Sequence, residues 1–119
     1  MRRRELKLKR VYEQPSAADG MRVLVDRLWP RGLSRQRVAA DLWLREAGPS
    51  APLRRWYGHD VHRWNEFRSR YRKELSRRPQ VLDLLDDLRR RSDVTLVFGA
   101  RDVAHSNAAV LREVLDERR

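Results

Sequence analysis

Residues 94–111 read VTLVFGARDVAHSNAAVL, and they decide the fold. The first five are apolar, β-branched or aromatic, which is the composition of a strand buried on both faces. Gly99-Ala100-Arg101 breaks the run. Asp102 then offers a side chain able to cap a helix, and Val103, Asn107, Val110, Leu111 and Val114 recur at three- and four-residue spacing along one face. A buried strand running directly into an amphipathic helix is half of a β–α–β unit.

Working outward, the segment before this strand reads as a helix starting near Pro79, with Val81, Leu82, Leu84, Leu85 and Leu88 inward and Asp86 four residues before Arg90. Earlier still, Val61, Trp64, Phe67 or Arg68, Tyr71 and Leu75 recur at three and four residues as one apolar stripe behind Asp60, a good N-cap. Residues 52–57 (PLRRWY) suit one or two helical turns led by Pro52 and stopped by Gly58. Residues 41–46 (DLWLRE) fit a strand or the end of a preceding helix, and the strand is preferred. Ser34 caps a short helix expected over residues 35–40. MRVLVD (21–26) reads as a second buried strand, ending at Asp26, and ELKLKRVY (5–12) alternates in the manner of an edge strand. This alternation predicts one small α/β domain over residues 1–119, a mostly parallel sheet of about four strands with helices packed on it. Right-handed crossovers place the ends of MRVLVD and VTLVF on the same edge, where open α/β sheets bind ligands.

Composition narrows the function classes. With 40% hydrophobic and 38% charged residues the surface must be unusually ionic around a compact core. The chain lacks cysteine, which removes disulfides, thiolate metal sites and cysteine nucleophiles together. No run approaches the roughly 18–20 apolar residues of a membrane span, so no membrane partner is expected. The N-terminal MRRRELKLKR has no apolar run behind its charged start and does not read as a secretory signal; the expected compartment is the cytoplasm. The net charge is +11, and lysine occurs only at Lys7, Lys9 and Lys73. So basic a chain suits nucleic acid or phosphorylated metabolites. Its arginines are nevertheless spread through every segment, as a solvated surface would be.

The candidate site is the meeting point of the two strand ends. Arg27, Arg31 and Arg101 supply forked donors for a phosphate or carboxylate. Gly99 and Ala100 allow close approach to the backbone, and a helix N-terminus favours anions. The competing reading pairs these arginines with Asp26 and Asp102 as loop braces. Asn107, on the apolar face of the last helix, reads as a residue fixing the strand-end loops or as a ligand contact. His105 lies where the helix dipole favours a neutral imidazole, so Asp26 or Asp102 with His105 is the candidate acid–base pair. Its plainer reading is a helix-surface histidine. His59, Asp60 and His62 lack metal-ligand spacing, so no metal and no cofactor is expected. Trp29 and Trp56 beside loops could roof a pocket or stack on a base, although packing is the commoner fate of tryptophan. The expected partner is a small anionic ligand. The alternatives are a nucleic-acid module using the basic surface and a protein-interaction domain around Leu53, Trp56 and Tyr57.

Several blocks carry a family resemblance: RVLVDRLWPRG (22–32), the stretch from Trp43 to Ser50, LRRWYGHD (53–60) with WNEFRSRYRKEL (64–75), and TLVFGARDVAHSNAAVL (95–111). Together they resemble the YeaO-like proteins, a bacterial family called domain of unknown function 488, over nearly the whole chain. The resemblance implies a compact α/β domain and supplies no reaction. It implies that Asp26, Arg27, Arg31, His59, Asp60, Asp102, His105 and Asn107 are the family's recurring polar positions, with Trp29, Trp43, Trp56 and Trp64 as aromatic companions. A longer branch looks similar at the strand ends but carries a cysteine after the last strand and a Cys-His-Arg triplet in the following helix. Here those places hold Phe98 or Gly99 and Ser106-Asn107-Ala108. A thiol mechanism in that branch cannot operate in this chain.

Overall fold

The structure, a computed structural model, describes residues 5–118. The basic start of the N-terminal stretch, read above as no secretory signal, lies outside them. Four parallel strands form one sheet in the order β1-β4-β2-β3: β1 Leu6–Arg10, β2 Met21–Leu24, β3 Leu42–Trp43 and β4 Val94–Phe98. VTLVF is central, as its composition predicts: Leu96 sits opposite Leu8 on one side and Val23 on the other, and all five residues are buried.

Alternation sorts the two faces. Leu6, Val23, Val25, Val94, Leu96 and Phe98 join the large core beneath the helices α2 Ala51–Tyr57, α3 Trp64–Ser76, α4 Pro79–Arg91 and α5 Asn107–Glu117. Leu24 and Val97 face the other way and are covered, with Val11, by Val38 of the four-residue α1 Arg35–Val38 and by partly buried Trp29 and Trp43. Thus the thick helical layer lies on one face and a thin cover on the other. Arg22 is buried on the thin side, bonded to Asp19 at 2.6 Å and to the carbonyls of Val38 and Ala39.

Several boundaries shift. β1 stops at Arg10, and the expected strand residues Val11 and Tyr12 turn away. α1 ends at Val38 because Ala39 takes a left-handed conformation. Residues 42–43 do form a strand, and a tight turn at Arg45–Ala47 follows. Asp60 and Asp102 do not cap α3 and α5: each caps a single 3-10 turn, at Val61–Arg63 and Val103–His105. Ser106 caps α5 through Ala109 N–H. Val61, Leu84 and Val103, expected inward, are exposed, the first and last because they sit in those turns.

Candidate functional site

The loop after β2 leads to α1 on the thin face, and the loop after β4 leads to α5 on the thick face. Adjacent parallel strands whose connections diverge leave a crevice at their carboxyl ends. Two hydrogen bonds close its base. Gly99 N–H donates to Asp26 Oδ2 at 2.8 Å, and Asn107 Nδ2 donates to the Val25 carbonyl at 3.2 Å. A side chain at Gly99 would put its Cβ 3.2 Å from Asp26 Oδ2, so this backbone approach is already tight. Burial pushes the Asp26 carboxyl above its usual range, against the opposing pull of Gly99 N–H, Asn107 and the charge of His59. Among the described residues Asp26 makes no ion pair.

Above this base lies a cavity of about 360 Å³. Its apolar lining includes Trp29, Pro30, Tyr57 and Phe67, and its polar lining includes Asp26, Arg54, His59, His105 and Asn107. Arg54 is the informative member. Its Nε is buried and has no hydrogen-bond partner. A buried donor without a partner forfeits its hydration for nothing in return, and it costs free energy until an acceptor arrives.

A family assignment fits this geometry, since matched blocks supply the base, α2 and α5 alike. The chain belongs to the DUF488 family. Residues 5–119 match the model described as the inactive DUF488-N3 subclade. An uncharacterised protein of Mycobacterium tuberculosis H37Rv is 42% identical over 118 residues, covering 99% of each chain. The uncharacterised protein YeaO of Escherichia coli K12 is 36% identical over 110 residues, covering 92% of this chain and 96% of its own. No solved structure matches.

The expected site residues of this DUF488 chain divide into those the fold gathers and those it does not. Asp26, Arg27, Trp29, Gly99, His59, His105 and Asn107 all line the cavity. Arg27, however, is a brace: Nε donates to the Pro49 carbonyl at 2.9 Å and Nη2 to that of Gly48 at 3.1 Å. Gly48 must be small, since a Cβ there would come within 2.8 Å of the Arg27 backbone nitrogen. Arg31 and Arg101 are exposed and outside the lining. Pro30 is buried and turns the chain, so Arg31 follows on the outer surface, its carbonyl 3.4 Å from the Tyr12 hydroxyl.

Asp102 is likewise exposed, but it is bonded to the pocket through His105, whose Nδ1 lies 2.7 Å from Asp102 Oδ2. That bond holds the Asp102 carboxyl below its usual range. The Tyr57 hydroxyl donates to the His105 carbonyl at 2.8 Å, and the Trp64 ring meets the imidazole edge-on at 5.0 Å. His59 enters the lining with a positive φ of 59°, just after Gly58 ends α2. Asp60 accepts from His62 N–H and pairs with Arg63 at 3.7 Å, outside the cavity. Trp56 also lies outside it, with the guanidinium groups of Arg63 and Arg70 on its ring at 5.1 and 4.6 Å. Trp29 donates to the Leu33 carbonyl at 2.7 Å and packs edge-on against Trp43. Among the described residues no group of three or more His, Asp or Glu could hold a metal ion. No helix among the described residues is long and apolar enough to cross a membrane.

Sequence reasoning missed α2 as a wall of the site. Arg54, Arg55 and Tyr57 come from it. The signal was present: Leu53 and Tyr57 define its buried stripe, and Arg54 follows that stripe by one position.

Proposed function

We propose that this protein binds a small anionic ligand, a carboxylate or phosphate ester, in the cavity at the carboxyl ends of β2 and β4. One observation carries the reading: Arg54, whose Nε is buried without a partner, lines that cavity. An anion would satisfy the guanidinium and relieve its desolvation. Support also comes from the histidines in the lining. Arg27 then acts by holding the 48–49 loop rather than by touching the ligand. The subclade description, inactive, agrees with binding rather than turnover.

Acid–base catalysis by Asp26 and His105, oriented by Asp102, is the second reading, and the 2.7 Å Asp102–His105 bond favours it. A bound ligand recovered chemically changed would select it.

Calorimetric titration with inorganic phosphate, acetate and a panel of phosphorylated and carboxylated metabolites tests the site. Arg54→Ala should weaken binding by about ten- to a hundredfold, the size of a lost charge-assisted hydrogen bond. Arg31→Ala and Arg101→Ala should each change it less than about twofold, as expected of exposed charges. Parental affinity in Arg54→Ala would place the site elsewhere.

A further inference from the structure

The cavity is lined by two groups of opposite character, and the anion reading uses only one. Arg54 presents a buried donor without a partner. Asp26 presents a half-buried carboxylate that receives Gly99 N–H on one oxygen, is also drawn on by the Asn107 amide, and has no cation within ion-pair distance among the described residues. A carboxylate can accept about four hydrogen bonds, and buried carboxylates are ordinarily compensated. The two groups do not compensate each other, since no Arg54–Asp26 ion pair forms. They are therefore separate stations of one cavity. Between polar stations the lining is aromatic and apolar, from Trp29, Pro30 and Tyr57. At about 360 Å³ the space is far larger than a bare phosphate or acetate and falls within the usual range for organic ligands.

Resting on the anion-binding reading, we infer that the ligand is a bifunctional organic anion: a carboxylate or phosphate for Arg54, an N–H or O–H donor for Asp26, and an apolar or aromatic body linking them. One end of such a molecule gives the Arg54 guanidinium an acceptor, and the other gives the Asp26 carboxylate a donor. A simple anion leaves Asp26 uncompensated, and a neutral donor leaves Arg54 so. Specificity then comes from the Asp26 end, because a site built to receive a donor discriminates strongly against an analogue lacking it.

Matched probes of nearly equal size separate the two ends. We would titrate the protein with 3- and 4-hydroxyphenylacetate against their fluoro counterparts, and with 3- and 4-hydroxyphenyl phosphate against theirs. At least one hydroxyl probe should bind about tenfold or more tighter than its fluoro partner, and the series in which it falls distinguishes a carboxylate from a phosphate ligand. In Asp26→Asn the amide oxygen can still accept from Gly99 while the amide nitrogen faces the ligand as a donor, so the preference should vanish or reverse. Equal affinity within every pair, still abolished by Arg54→Ala, overturns this inference and leaves the anion reading intact. An unchanged preference in a folded Asp26→Asn variant also overturns it. Failure of all probes, inorganic phosphate included, overturns both.

Discussion

At the residue scale, Asp26 has the most to reveal, because its side chain is held at some cost. Burial keeps its carboxyl above the ordinary value of 3.8, with Gly99 N–H and Asn107 only partly offsetting the effect. The folded chain therefore retains a proton at a pH where the unfolded chain has released it. Asp26 favours folding most below the unfolded value, and that contribution is lost as pH rises through the raised folded value. Asp26→Asn should consequently melt higher than the parent at about pH 7, with the gap closing toward about pH 4, in thermal scans across that range. A variant less stable than the parent at neutral pH would mean that the carboxylate is compensated in the free protein. Residues that lower stability in this way are the ones a binding role retains. Asp26, Gly99, His105 and Asn107 could be read from the sequence because each has a local reason for its place: a strand end, a required absence of side chain, a turn, an amide on an apolar stripe. The arginines could not. Their long side chains reach in many directions, so position along the chain does not tell the brace Arg27 from the exposed Arg101 or the unpartnered Arg54.

At the scale of elements, the buried runs gave the strands and the apolar stripes gave the helices, so the order of elements was legible. The entries to α3 and α5 were not. An Asp followed by a backbone donor two or three residues later suits a 3-10 turn as well as an α-helix, and both Asp60 and Asp102 serve such turns. At α5 the chain then straightens at Ser106, whose hydroxyl donates to the Val103 carbonyl at 2.7 Å and accepts from Ala109 N–H at 3.1 Å. Ser106 is 1% exposed, so both bonds lack water as a substitute. Ser106→Ala should cost about 1–2 kcal/mol in urea denaturation. Asp102→Ala, at an exposed turn, should cost less. The reverse order would restore Asp102 as the true helix cap. The same substitution tests positioning, since Ser106 sits between His105 and Asn107 and anchors the start of the helix that carries Asn107 to the Val25 carbonyl.

At the scale of the whole molecule, the question is what a net charge of +11 is for. Much of the arginine is committed to bracing. Arg68 and Arg72 share Glu113, tying α3 to α5, while Arg118 reaches Asp83 and Asp86, and Arg89 reaches Asp116, tying α5 to α4. Arg70 pairs with Glu66, and Arg90 and Arg91 flank Asp87. Among the described residues much of the positive charge is thus interleaved with carboxylates. A surface of this kind attracts nucleic acid by general field alone. Binding to a duplex of about 20 base pairs at about 20 mM salt should weaken by more than about tenfold by 150 mM, because each contact displaces condensed counterions. It should be indifferent to base sequence and unaltered by Arg54→Ala, whose unpartnered Nε is buried rather than offered to a backbone outside. Fluorescence anisotropy over a salt series checks all three. Submicromolar affinity persisting at 150 mM, or a loss on Arg54→Ala, would make the cavity part of a nucleic-acid surface and its ligand a nucleotide in a strand; salt-labile, sequence-blind binding would leave the cavity to small molecules.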